Sequence, residues 1–206
     1  MNIQKLKRAE AQFLQVYPQG FLHPDMQAIA KKHRLAQMSS LTQESFSKKQ
    51  FSTPLTITEN MSKIIGRSSM VSMFEKPKFR DAIKAMDSDM KHTLANGLKK
   101  LLHGNQQQGF EQMVQVLAHY KLAKWSLITI LPNYFSPDTE VFVKPNTTKG
   151  IIRFFELEDL VYKPQPTWNF YEQYRSIITD MKSQVDASLF PNNAAFTGFL
   201  MMSLEK

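Results

Sequence analysis

An apolar stripe in the middle of the chain constrains the fold more than any other feature. Phe79, Ile83, Met86, Met90, Leu94, Leu98 and Leu101 recur at steps of 4, 3, 4, 4, 4 and 3 residues. Steps of three and four return a side chain to one side of an α-helix, with its turn of about 3.6 residues. A half-buried strand would instead alternate at every second residue. The stripe predicts one helix of about seven turns over residues 77–102, the longest in the chain, with Met90 and Leu94 in the core. Pro77 suits a first turn, where its missing N–H has no bond to lose. Asp87 and Lys91 stand four apart on the outer side and are spaced to pair. His103-Gly104 ends the run, and Gly104 suits a left-handed position after a helix.

The same periodicity recurs on both sides of this segment. Phe110, Met113, Val114 and Leu117 predict a helix over residues 106–120, which forms an antiparallel hairpin with the first. Tyr171, Tyr174, Ile178, Met181 and Val185 predict another, starting at Thr167 as N-cap. Pro191 stops it and can open a last helix through residues 194–204. In the N-terminal third, Leu6, Phe13, Leu14 and Val16 mark a helix closed by Tyr17-Pro18-Gln19-Gly20. Pro24 opens the next, with Met26, Ile29, Ala30 and Leu35 inward. Met61, Ile64 and Ile65 mark one more after Thr58. Residues 39–56 are rich in Ser, Thr and Gln and predict a mobile loop.

Residues 124–163 break the pattern. Trp, Ile, Thr, Val and Phe favour strands. Residues 123–131 nonetheless fit either a strand or a buried helix, and residues 141–143 are expected as a short strand. No sequence period supports a solenoid. The expected fold is mainly α: a single multi-helix domain over residues 1–206, with room for one short strand pair around residues 125–145.

Composition narrows the class further. Of 206 residues, 42% are hydrophobic and 11% aromatic, enough for a substantial core. With no cysteine, disulfides, thiolate metal sites and a cysteine nucleophile are excluded. The N-terminus lacks the apolar core of a signal peptide. The longest mainly apolar stretch of the chain, residues 194–204, is about half the ~20 residues that span a bilayer. The expectation is a soluble, cytoplasmic protein with no membrane partner.

Three segments resemble blocks of an uncharacterised bacterial protein family with no assigned activity: RSSMVSMFEKPKFRD (residues 67–81), WSLITILPNYFSPDTEVFVKPNTTKG (125–150) and PNNAAFTGFLMM (191–202). The resemblance covers most of the chain and implies no functional residue.

Charge supplies the main functional clue. Residues 1–100 carry 17 Lys and Arg against 8 Asp and Glu, a balance of +9, while residues 101–206 carry 9 against 10, a balance of −1. The chain thus divides into a basic N-terminal half and a near-neutral, aromatic-rich C-terminal half. The basic clusters are Lys31-Lys32-His33-Arg34, Lys48-Lys49, Lys76-Pro77-Lys78-Phe79-Arg80 and Lys99-Lys100. Clustered cations can neutralise phosphates, and Phe46, Phe51, Phe74 and Phe79 between them can stack on bases. The competing reading is solvated helix faces over core phenylalanines.

Other constellations are weaker. Lys144, Thr147, Thr148 and Lys149, with Arg67 elsewhere in the chain, are a possible anion site. Against this, Asn146 or Thr147 can serve as a helix N-cap and Arg67 as half of a structural ion pair. The segment is not a Walker A loop, and Gly66-Arg67-Ser68-Ser69 is not a nucleophile elbow. The five histidines lack metal-ligand spacing. Glu156, Glu158 and Asp159 read as solvated charges at a helix end rather than an acid–base pair. Trp125, Trp168, Tyr162, Phe170, Tyr171 and Tyr174 fit a core better than a recognition groove.

The expectation is a non-enzymatic binding or accessory protein whose basic half contacts nucleic acid, with no catalytic residue, metal or cofactor. The alternative is an interaction subunit that docks an acidic protein partner, and an enzyme of unrecognised type ranks third.

Overall fold

The N-terminal helix α1 (Ile3–Val16) buries Leu6, Ala9 and Phe13, and Asn2 caps it by accepting the Lys5 N–H at 3.0 Å. The computed structural model describes residues 1–205, which continue as α2 (Pro24–His33), α3 (Leu35–Ser45), α4 (Pro54–Arg67), α5 (Glu75–Ala85), α6 (Ser88–His103), α7 (Gln106–Ala118), α8 (Trp125–Phe135), α9 (Pro145–Phe154), α10 (Trp168–Ser183) and α11 (Asn193–Met202). Short 3-10 turns fill several of the connections, and no strand occurs among the described residues. One continuous core of buried apolar side chains runs from Leu6 to Leu200.

α8 lies at the centre. Every residue from Trp125 to Tyr134 is buried, as expected of a helix that is apolar on all sides. α3, α4, α6 and α7 all pack against it. The most intimate packing elsewhere is the α6–α7 hairpin. Gly97 and Gly109 face each other where the helices cross. A Cβ added at Gly109 would stand 2.6 Å from the Gly97 carbonyl oxygen and would also strike the Leu101 backbone.

The all-helical, single-domain expectation holds, and the strand pair does not. Residues 125–135 form a buried helix. Residues 141–143 are buried and pair with no strand; side chains serve their backbone instead. The Val143 N–H donates to Thr129 Oγ1 at 3.0 Å, and the Val141 N–H to the Tyr171 hydroxyl at 3.4 Å.

The single helix over residues 77–102 is two helices. Met86 is extended (φ −63°, ψ 136°), and Asp87 caps α6 by accepting the Met90 N–H at 2.7 Å. Asp87 is therefore a cap and not a partner of Lys91. The apolar stripe continues across the break because α5 and α6 both pack on α4. Leu94 is fully buried, but Met90 is half-buried, its Sδ accepting the Tyr120 hydroxyl at 3.2 Å. The longest helices are α6 and α10, at 16 residues each. Gly104 ends α6 with φ −148°, outside the left-handed region.

Residues 39–56 are no loop. They complete α3, form the 3-10 turn Lys48–Ser52 and begin α4, with Thr42, Phe46 and Phe51 buried. The Thr42 hydroxyl is satisfied within its own helix, donating to the Met38 carbonyl at 2.6 Å. A polar composition thus hid an amphipathic segment with few but large apolar anchors.

Two glycines set opposite expectations. Gly109→Ala should destabilise the protein by about 1–3 kcal/mol or more, because the added methyl meets backbone that has no room to yield. Gly66→Ala, on an exposed turn of α4 with nothing within 4 Å of the new methyl, should stabilise it by up to ~1 kcal/mol. Urea denaturation of both variants checks the pair; equal shifts of the same sign would refute the tight crossing.

Candidate functional site

The predicted cations fall on several elements. Lys31 and Lys32 lie in the last turn of α2, with Arg34 just beyond it; Lys48 and Lys49 are in the 3-10 turn, Lys76, Lys78 and Arg80 on α5, and Lys99 and Lys100 on α6. That 3-10 turn packs on α6, so Lys48, Lys49, Lys99 and Lys100 belong to one neighbourhood. A polar cleft of about 360 Å³ opens there, with His92 and Lys99 on its walls. Lys100 is partly committed to the hairpin, donating to Gln112 Oε1 at 3.1 Å. The end of α2 is joined to the segment after α4 by a 2.9 Å hydrogen bond between His33 Nδ1 and Ser69 Oγ.

Arg80 pairs with Asp81 at 2.9 Å. None of the other nine predicted cations has a carboxylate within 4.0 Å among the described residues. Of the four interleaved phenylalanines, Phe46, Phe51 and Phe79 are core residues, whereas Phe74 is 82% exposed at the start of α5. Met73 beside it is 81% exposed. Lys76 and Lys78 follow directly in the chain.

The possible anion site divides. Lys144 is the N-cap of α9 and Thr147 lies in its first turn; neither Asn146 nor Thr147 caps the helix, which starts earlier, at Pro145. Thr148 is buried, and Lys149 is exposed with its Nζ 5.9 Å from the Tyr162 ring centroid. Arg67 is exposed at the end of α4 and joins no ion pair among the described residues.

Lys144 and Thr147 instead border a groove of about 270 Å³ between α2, α9 and α11, which sequence reasoning missed. Its walls are mostly apolar, with Met26, Met70, Phe142 and Met202 among them. Ile29, expected inward, lines the groove and is 42% exposed. The apolar residues that line it, such as Met26 and Ile29 on α2 and Met201 and Met202 on α11, read equally as core in the sequence.

Glu140 also escaped sequence reasoning. It is 5% exposed. Arg175 Nη1 donates to it at 2.7 Å, the Tyr171 hydroxyl at 2.6 Å and Gln106 Nε2 at 2.9 Å. Both carboxylate oxygens have partners, so the cluster holds structure together. Trp125, Trp168, Phe170, Tyr171 and Tyr174 are buried around Phe110 in the same region, and Tyr162 packs at their edge. Glu156 is exposed and pairs with Lys5 at 2.7 Å, which fastens the end of α9 to α1. Glu158 and Asp159 are exposed too.

No group of three or more metal-ligating side chains converges among the described residues. No described helix is long and apolar enough to cross a membrane. No protein-family model matches the chain, and no curated protein or solved structure does so either. The three family-like segments therefore gain no support from these comparisons.

Burial keeps three phenols protonated. It raises the Tyr171 pKa well above the ordinary range, reinforced by the adjacent Glu140 carboxylate, with Arg175 opposing. Burial also raises Tyr174 and Tyr134, opposed by neighbouring hydroxyls of Thr148 and Ser68. A phenol raised on folding contributes stability that is complete below its unfolded pKa of about 10 and is lost as pH climbs through the folded value. The protein should therefore keep its helical circular dichroism at about pH 9 and lose it cooperatively above about pH 10. Tyrosinate absorbance should rise in the same transition. Ionisation of all six tyrosines with the helical signal intact would contradict this burial.

Proposed function

We propose that the protein is a non-enzymatic binding module that contacts single-stranded nucleic acid through the basic surface of its first hundred residues. The observation that carries this reading is Phe74, an aromatic ring held in water two and four residues before Lys76 and Lys78, which have no carboxylate partner among the described residues. A base gains stacking on such a ring while the lysines meet its phosphates. The unpaired Lys48, Lys49 and Lys99 extend the positive surface beside the cleft on α6. Duplex DNA offers phosphates but few free base faces, so single strands suit the pairing of ring and charge better.

The acidic-partner reading draws on the same cations but assigns Phe74 and Met73 to a protein interface. The two readings separate in one titration. Fluorescence anisotropy with labelled single- and double-stranded oligonucleotides at low and physiological salt should show weak binding with little sequence preference. Phe74→Ala should weaken single-strand binding by about 1–3 kcal/mol and leave duplex binding nearly unchanged. The triple change of Lys48, Lys49 and Lys99 to Gln should flatten the slope of log K against log salt, by up to about 0.9 on duplex for each phosphate that is no longer neutralised. No binding at low salt by folded protein would remove nucleic acid and leave the acidic protein partner. Binding untouched by either change would move the surface away from these residues.

A further inference from the structure

The groove between α2, α9 and α11 differs from the basic surface in both shape and chemistry. Its walls contain no Asp or Glu, and the two side chains there able to carry charge, Lys144 and His33, are both basic. Lys144 belongs to the start of α9, whose N–H groups favour negative charge. Thr148, in the same turn, is buried, and its hydroxyl neighbours that of Tyr174, which lines the groove. Four methionines contribute to the apolar wall, and their flexible thioethers adapt to a chain that has no fixed shape.

Size limits the ligand. At about 30 Å³ for each water-sized atom, a groove of about 270 Å³ accommodates roughly nine heavy atoms. Gly198 of α11 borders the groove, and a Cβ added there would meet nothing within 4 Å. The glycine keeps the groove open.

From these observations we infer that this groove binds a medium-chain monocarboxylate, a fatty acid of about seven or eight carbons, with its chain against Met26, Met70 and Met202 and its carboxylate at the Lys144 end. Apolar walls supply affinity, and the unopposed basic groups select the anionic head over a neutral one. This is independent of the nucleic-acid reading, which uses other residues.

Calorimetry of the 206-residue chain with octanoate and, separately, octanol tests the inference. Wild type should bind one octanoate, more tightly than octanol. Lys144→Gln should weaken octanoate on the order of tenfold and leave octanol unchanged. Gly198→Phe should abolish both, with a denaturation midpoint no lower than wild type, since it replaces glycine in a helix and fills open space. Gly198→Leu serves as a smaller plug if the phenylalanine variant does not fold. The inference is overturned if wild type binds neither compound, if it binds both equally, or if a folded plug variant binds as wild type does.

Discussion

A carboxylate buried at residue 140 sets the terms for the C-terminal half. Removing such a charge from water costs several kcal/mol unless the surroundings replace what water supplied. The replacements come from separate elements: Gln106 from α7, and Tyr171 and Arg175 from α10. The guanidinium also lies over the rings of Trp168 and Tyr171, 5.4 and 5.5 Å from their centroids. The Glu140 carbonyl accepts from Asn193 Nδ2 at 3.0 Å, and Lys182 donates to both Asn193 Oδ1 and the Asp138 carbonyl. The connection after α8 is thereby tied to α7, α10 and α11 at once. The carboxylate thus places α7 and α10, and the backbone carbonyl of the same residue places α11.

That connection also explains why α8 is followed by buried backbone with no sheet. A buried peptide group needs a hydrogen-bond partner of some kind. Thr129 Oγ1 donates to the Trp125 carbonyl at 2.7 Å and still accepts from Val143. Tyr171 serves both the Glu140 carboxylate and the Val141 N–H. Two hydroxyls take the place of a neighbouring strand. The strand propensity of residues 141–143 is expressed, as extended buried backbone, without the ladder it normally implies.

Much of the fold was legible because it follows from local chemistry. Pro24 marks a helix start that the structure reproduces, the helices expected over residues 106–120 and 194–204 form as α7 and α11, and the stripe on α10 is buried as its spacing predicts. Failures arose where a local signal and a tertiary one competed. Asp87 could pair with Lys91 or cap a new helix, and only packing on α4 makes a break there as good as a continuous helix. The Ser- and Thr-rich residues 39–56 hold Phe46 and Phe51, whose burial depends on neighbours distant in sequence. At the candidate site, sequence identified the cations and the ring of Phe74. It could not separate Phe74 from three buried phenylalanines beside equally basic runs. The groove was illegible because its walls come from α2, α9 and α11, with nothing in any one of them to mark a shared opening.

The central position of α8 has one more consequence. Charge divides the sequence near its midpoint, yet the fold ignores that division: α3, α4 and α6 from the basic half all rest on α7 or α8 from the other. Cut at the charge boundary, the first hundred residues would keep their lysines and bare the apolar faces that those helices now cover. Such a fragment would carry a surface prone to self-association. The basic surface is thus not a detachable tail that could be lost, exchanged or grafted elsewhere. It is inherited and displayed only together with the near-neutral half that supports it.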